Sequence, residues 1–200
     1  QHRLQHGVVI VRDEVDGVPF DAAEKLGADF GGASMPGFFT DEPQLGNRAM
    51  VGYCVWTPGL EEKFKETFGY ELNLPSLFSG DTEADRICRM NYYQLVASLF
   101  RASYFEQIAE WCRRNGTLSS GHLLFEEKMN DQIETYGGDF LQAVGAMGIP
   151  GVDLLWVAPD KLLSDCYVGN FMGIRYVVSA AKNAGKTQVM VEFNPDAMGT

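Results

Sequence analysis

The sequence has no Cys-x-x-Cys, no His-x-His and no His-Glu-x-x-His, and of its three histidines only His122 lies away from the N-terminal stretch. Zinc and thioredoxin-type chemistry therefore lack both a ligand set and a redox pair. Positive charge is also scarce. Sixteen Lys and Arg against 27 Asp and Glu leave a formal net charge of −11, and no basic face gathers the cations, which argues against a nucleic-acid partner. No run is long and apolar enough to span a bilayer, so no membrane partner is expected. Gln1 to Gly7 lack the apolar core of a signal peptide. No Gly-x-Gly-x-x-Gly opens a helix after a strand, so a dinucleotide site is not expected, nor is any other cofactor. Cys54, Cys88, Cys112 and Cys166 are widely spaced and read as scattered thiols. They leave the compartment open, with a lean to a reducing, cytoplasmic one.

What is present alternates. Val8 to Val11 reads as a strand, Asp16-Gly17 as a hairpin turn, and Gly31 to Ser34 as a loop into a buried strand at Gly37 to Thr40. Thr57 and Pro58 suit the start of a helix whose Leu60, Phe64 and Phe68 share one face and which Gly69 ends. Asp81 to Arg114 is the longest periodic segment, about 45 Å if helical throughout, long enough to break or to overhang its domain. Thr117 to Phe125 begins as a strand and ends in His122 and Glu126-Glu127. Phe140 to Met147 is helical, Gly148 to Gly151 a turn, Val152 to Val157 a buried strand, Phe171 to Ala184 a helix, and Gln188 to Val191 a buried strand delivering Glu192. Strand and helix in alternation imply a parallel sheet with crossover helices. With no repeat or linker, residues 1–200 read as a single domain, α/β in class. A (β/α)8 TIM-barrel type fits best, with four clear units forming a partial barrel, as expected of part of a larger polypeptide.

In α/β folds ligands bind at the carboxyl ends of the strands. The run Pro36-Gly37-Phe38-Phe39-Thr40-Asp41-Glu42-Pro43 places two acids at such an end, and Glu192 stands at another. In one barrel, Glu42 and Glu192 would face the same mouth. Two carboxylates flanking a bond are what glycoside hydrolysis needs: one protonates the leaving oxygen, and the other attacks the anomeric carbon or activates water. An isolated acid at a strand end more often merely caps the strand or pairs with Arg, and two such acids together shift the balance toward function. Asp41, adjacent to Glu42, should point the other way along a strand and serve as support or as a contact to a sugar hydroxyl. His122 suits a hydroxyl contact or the orientation of a carboxylate, or is a hydrogen-bonded core histidine. Glu126 faces the pocket or lies in a solvated helix start, Trp56 offers a stacking platform for a sugar ring, and Asn194 a hydroxyl donor.

The series Gly37 to Pro43, Trp56-Thr57-Pro58, Phe68 to Leu72, Leu74 to Leu77, Trp111-Cys112, Gly121-His122 and Ile149 to Asp153 resembles bacterial glycoside hydrolases of the α-L-rhamnosidase-like kind. The resemblance implies a (β/α) barrel with a carbohydrate substrate. Glu42-Pro43 is similar to the acid that follows the fourth strand in a broad clan of barrel glycosidases, and Glu192 would stand in the nucleophile's place. Two other readings remain: a non-catalytic carbohydrate-binding relative, and a metal-dependent hydrolase using Asp41, Glu42, His122 and Glu126.

Overall fold

The computed structural model describes residues 36–45, 54–126, 128–154 and 168–193. The readings at Val8 to Val11, Asp16-Gly17, Gly31 to Ser34, Leu155 to Val157 and Asn194 lie outside these residues.

Among the described residues the chain runs β1 (Gly37–Thr40), α1 (Leu60–Phe68), α2 (Leu74–Phe78), α3 (Glu83–Phe100), a π-helical segment (Arg101–Glu106), α4 (Gln107–Arg114), β2 (Leu118–Gly121), α5 (Met129–Tyr136), α6 (Phe140–Gly145), β3 (Ile149–Leu154), α7 (Val168–Asn183) and β4 (Met190–Phe193). The four strands form one sheet in the order β1-β2-β3-β4, and every neighbouring pair is parallel. The alternation in the sequence required this, because parallel neighbours need a crossover.

Register then sorts the side chains. Phe39 pairs with Ser120, Ser120 with Ile149, and Asp153 with Glu192. Side chains alternate across a strand, so these residues share one face, while Phe38, Ser119, Val152 and Leu154 take the other. The second face meets the helices. Val152 and Leu154 are buried with Phe100, Phe105, Phe140, Val144 and Val177, and Phe38 meets Trp111 of α4 edge to face at 5.7 Å. The first face carries polar groups, and its Phe39 and Leu118 are exposed.

Two glycines let the strands approach. A Cβ on Gly121, whose φ is 148°, would stand 2.2 Å from the Thr40 carbonyl oxygen, and one on Gly151 would stand 2.1 Å from that of Gly121. Neither separation is sterically possible, so these positions exclude any side chain.

A second core forms beside the first, where Leu60 and Phe64 of α1 pack on Cys88, Tyr92, Leu95 and Val96 of α3. Thr82 caps α3 in a reciprocal pair with Asp85, which satisfies two backbone donors that a helix start otherwise leaves open.

Several sequence expectations shift. The strand at Gly37 was expected to be buried through Phe39, but Phe39 is 49% exposed because it faces away from the helices. Helix α1 starts two residues late, with Gly59 as its N-cap in a left-handed conformation; Thr57 instead accepts the Leu60 N–H in the preceding turn. The long segment neither breaks nor runs as one regular helix. It widens into π-helix over Arg101–Glu106 and continues. The expected turn at Gly148 to Gly151 is largely strand, since β3 already begins at Ile149, and Pro150 is tolerated near its start. Helix α2 was not anticipated, and α5 only through the alternative that set a helix start at Glu126-Glu127.

Candidate active site

Each strand delivers a chemistry-bearing side chain at its carboxyl end: Asp41 and Glu42 after β1, His122 after β2, Asp153 in β3 and Glu192 in β4. A continuing strand would turn Asp41 and Glu42 to opposite sides. Glu42, however, has φ 44°, a left-handed conformation costing an L-residue about 1–3 kcal/mol that tends to persist where function needs it. The bend brings both acids to one place. Asp41 Oδ1 lies 3.3 Å from His122 Nε2, and a Glu42 carboxylate oxygen, a His122 nitrogen and an Asp153 carboxylate oxygen lie within 4.8 Å of one another.

His122 is the hub, only 1% exposed. Its Nδ1 faces the Leu123 carbonyl oxygen at 3.0 Å, and its Nε2 faces Glu192 Oε2 at 2.9 Å. A carbonyl can only accept, so Nδ1 carries a proton. Nε2 meets two carboxylates, and the arrangement favours a second proton there. Burial pushes the His122 pKa down, but the Leu123 carbonyl and the charges of Glu126, Glu192 and Asp153 outweigh it, and the net shift is upward. The imidazolium so favoured ties β1 and β4 together through Asp41 and Glu192. The Phe39 ring lies beside it, 5.5 Å between centroids.

Asp153 is the member of this cluster that sequence reasoning passed over as a site residue. Burial, and then repulsion from Glu192, Glu42 and Asp41, push its pKa up to about 6, against the opposing pull of His122. Its Oδ1 is buried and accepts no hydrogen bond among the described residues. A signal was present: one carboxylate interrupts an otherwise apolar strand, and a buried charge is costly unless something uses it.

Glu126 is neither in a solvated helix start nor exposed to the mouth. It is 2% exposed, its Oε1 accepts the Asp153 backbone N–H at 2.8 Å, and the same oxygen lies 3.9 Å from His122 Nδ1. The structure places it behind the cluster, holding Asp153 and His122. Trp56 packs half-buried against the core of Leu60, Phe64 and Tyr92, whose tyrosine hydroxyl donates to the Val55 carbonyl at 2.5 Å. Glu192 stands beside Asp153 in the ladder, its side chain 43% exposed.

Two sets of side chains could hold a divalent cation, Asp41–His122–Glu192 and Glu42–His122–Asp153, and they share His122. At the other end of the sheet a cavity of about 440 Å³ is lined by Glu110, Arg113, Leu118, Ser119, Gly148 and Lys186 among others. It opens at the amino ends of the strands, away from the cluster.

Fold and site together define an α/β unit with a parallel sheet and a polar cluster at its carboxyl edge. The chain is similar in fold to the solved structure of a rhamnosidase from Novosphingobium sp. PP1Y, with a TM-score of 0.63 at 20% sequence identity over 85% of this chain, and it spans only 15% of that enzyme's length. No protein-family model and no curated protein matches the sequence. Among the described residues, no helix is long and apolar enough to cross a membrane.

Proposed function

We propose that this chain carries the catalytic centre of a (β/α)-barrel glycoside hydrolase, with α-L-rhamnosides as the first substrate class to test. The observation that carries the reading is the convergence of two separated glutamates on one imidazole. Glu192 lies 2.9 Å from His122 Nε2, and Glu42 has an oxygen within 4.8 Å of a His122 nitrogen. That keeps the nearest oxygens of the two carboxyls within about 10 Å, a limit compatible with either glycosidase geometry, about 5–5.5 Å or about 6.5–9.5 Å. Strands in sequence order, helices gathered on one face and polar groups on the other support the barrel, in which the helix-free face turns inward. An open doubly wound sheet reverses its strand order instead.

Glu42 acts as general acid, protonating the departing glycosidic oxygen. Glu192 acts on the anomeric carbon, as nucleophile or through an activated water. His122 donates to Glu192 Oε2 and leaves the other oxygen free to face substrate. Because the net charge is −11, a neutral sugar enters without the repulsion an anionic substrate would meet.

Glu42→Gln tests this. Turnover of an unactivated α-L-rhamnoside should fall about 10²–10⁴-fold, the usual contribution of a positioned proton donor, with the circular dichroism spectrum unchanged. Full activity in that variant sinks the assignment. The Asp41–His122–Glu192 set favours a second reading, a metal-dependent hydrolase. Stoichiometric divalent ion in purified protein, with activity lost on chelation and restored by the metal, would favour it.

A further inference from the structure

Resting on the glycosidase reading, we propose that Asp153 is a substrate-binding residue, whose unpartnered carboxylate oxygen accepts a hydrogen bond from one ring hydroxyl of the sugar held between Glu42 and Glu192.

Position is the first argument. Asp153 pairs with Glu192 across β3 and β4, so its side chain lies on the same face and at the same level as the proposed nucleophile. One of its oxygens also lies within 4.8 Å of both Glu42 and His122. It therefore stands between the two acids that would flank the bond to be cleaved.

The second argument is what Asp153 lacks. Buried polar atoms almost always find partners, and a charged acceptor without one carries a desolvation penalty. Asp153 Oδ1 is buried with no donor among the described residues, while the Asp153 backbone is held firmly, its N–H donating to the buried Glu126 at 2.8 Å. A fixed main chain presenting an unsatisfied carboxylate oxygen beside the reacting groups is a prepared acceptor. A sugar ring supplies the missing donor, because each of its hydroxyls can give one proton. A charge-assisted bond of this kind also rejects substrates that lack the hydroxyl, since the acceptor is then left unpaired.

Monodeoxy p-nitrophenyl α-L-rhamnosides lacking the 2-, 3- or 4-hydroxyl provide the test, assayed with the wild type, Asp153→Asn and Asp153→Ala. For the wild type, one position should stand out, with kcat/KM at least about tenfold lower than for the parent glycoside. For both variants that penalty should shrink to about threefold or less. The parent glycoside should show a raised KM with kcat much less affected, because a hydroxyl contact made in both ground and transition states acts on binding. Melting temperatures of both variants should equal or exceed that of the wild type, which separates lost recognition from lost folding. An unchanged deoxy-penalty profile in well-folded variants overturns the assignment of Asp153 and leaves the glycosidase reading intact. A wild type that cleaves none of the glycosides removes both.

Discussion

At the scale of single residues, the cluster around His122 carries charge that the fold does not fully neutralise. Asp153 shows this most clearly. Its folded pKa is pushed up to about 6 from an ordinary 3.8, so folding disfavours its charged form. That cost is absent below pH 3.8, sets in as the carboxyl ionises, and is complete above about pH 6. Asp153→Asn should therefore raise stability by about 1–2 kcal/mol near pH 7.5, after discounting for the partial exposure of the site, and by nothing near pH 4. Urea titrations of both proteins at the two pH values give the difference directly. His122 works in the opposite sense. It is the cation among five acids, Asp41, Glu42, Glu126, Asp153 and Glu192, and His122→Ala should cost about 1–3 kcal/mol and most of the activity, because Glu192 and Asp41 then repel across the gap. A melting curve and a glycoside assay on the same preparation check both effects.

The elements show which parts of the structure sequence patterns reach. Four strands, the helices at Leu60, Phe140 and Phe171, and the stop at Gly69 followed from periodicity, from Gly as punctuation and from apolar runs. Glu42 and Glu192 were legible because each follows or interrupts an apolar stretch. Their common neighbourhood with His122 followed from the parallel reading. The left-handed turn at Glu42 was not legible, since nothing local to Asp41-Glu42-Pro43 demands it, and the side chains it brings Glu42 beside, His122 and Asp153, lie far along the chain. The burial of Glu126 is likewise set by contacts with β3 and not by its own neighbours. Helix α2, with only five residues, is too short for any period to appear. Where the signal is local, the energetics are local too. Thr82→Ala should remove the cap of α3 at a cost of about 1 kcal/mol. Phe64→Ala, which empties the centre of the second core, should cost about 3–5 kcal/mol. Chemical denaturation separates the two by size.

For the whole molecule, the ionisable groups predict where stability peaks. His122, raised, stabilises fully below its unfolded pKa and loses that contribution as pH climbs through the folded one. Asp153 becomes costly over an overlapping range. On the acid side, Glu110 is held down at about 2 by Arg113 and Arg114, and Ser76 and Thr82 hold Asp85 below its ordinary value. Their contributions are present above the ordinary carboxylate range and are lost as pH falls through the lowered values. Thermal melts across pH 3–9 should peak at about pH 5–6 and decline toward alkaline pH, with the decline steepened by a net charge of −11. A flat profile above neutrality would contradict the protonated hub.

The two-faced sheet also assigns parity to the strands. Phe38, Val152 and Leu154 occupy the even positions of β1 and β3 and face the helices, while Phe39 and Asp153 occupy the odd positions beside the site. A saturation scan should therefore separate along each strand into two alternating phenotypes. Changes at even positions would lower the amount of folded protein in the cell and leave the turnover of each surviving molecule unchanged. At odd positions of these strands near the carboxyl edge, they would leave abundance intact and alter turnover. In β2 and β4 the parity reverses, because Ser120 lines up with Phe39 and Glu192 with Asp153, and the phase of the alternation across the four strands is itself a readout of the register.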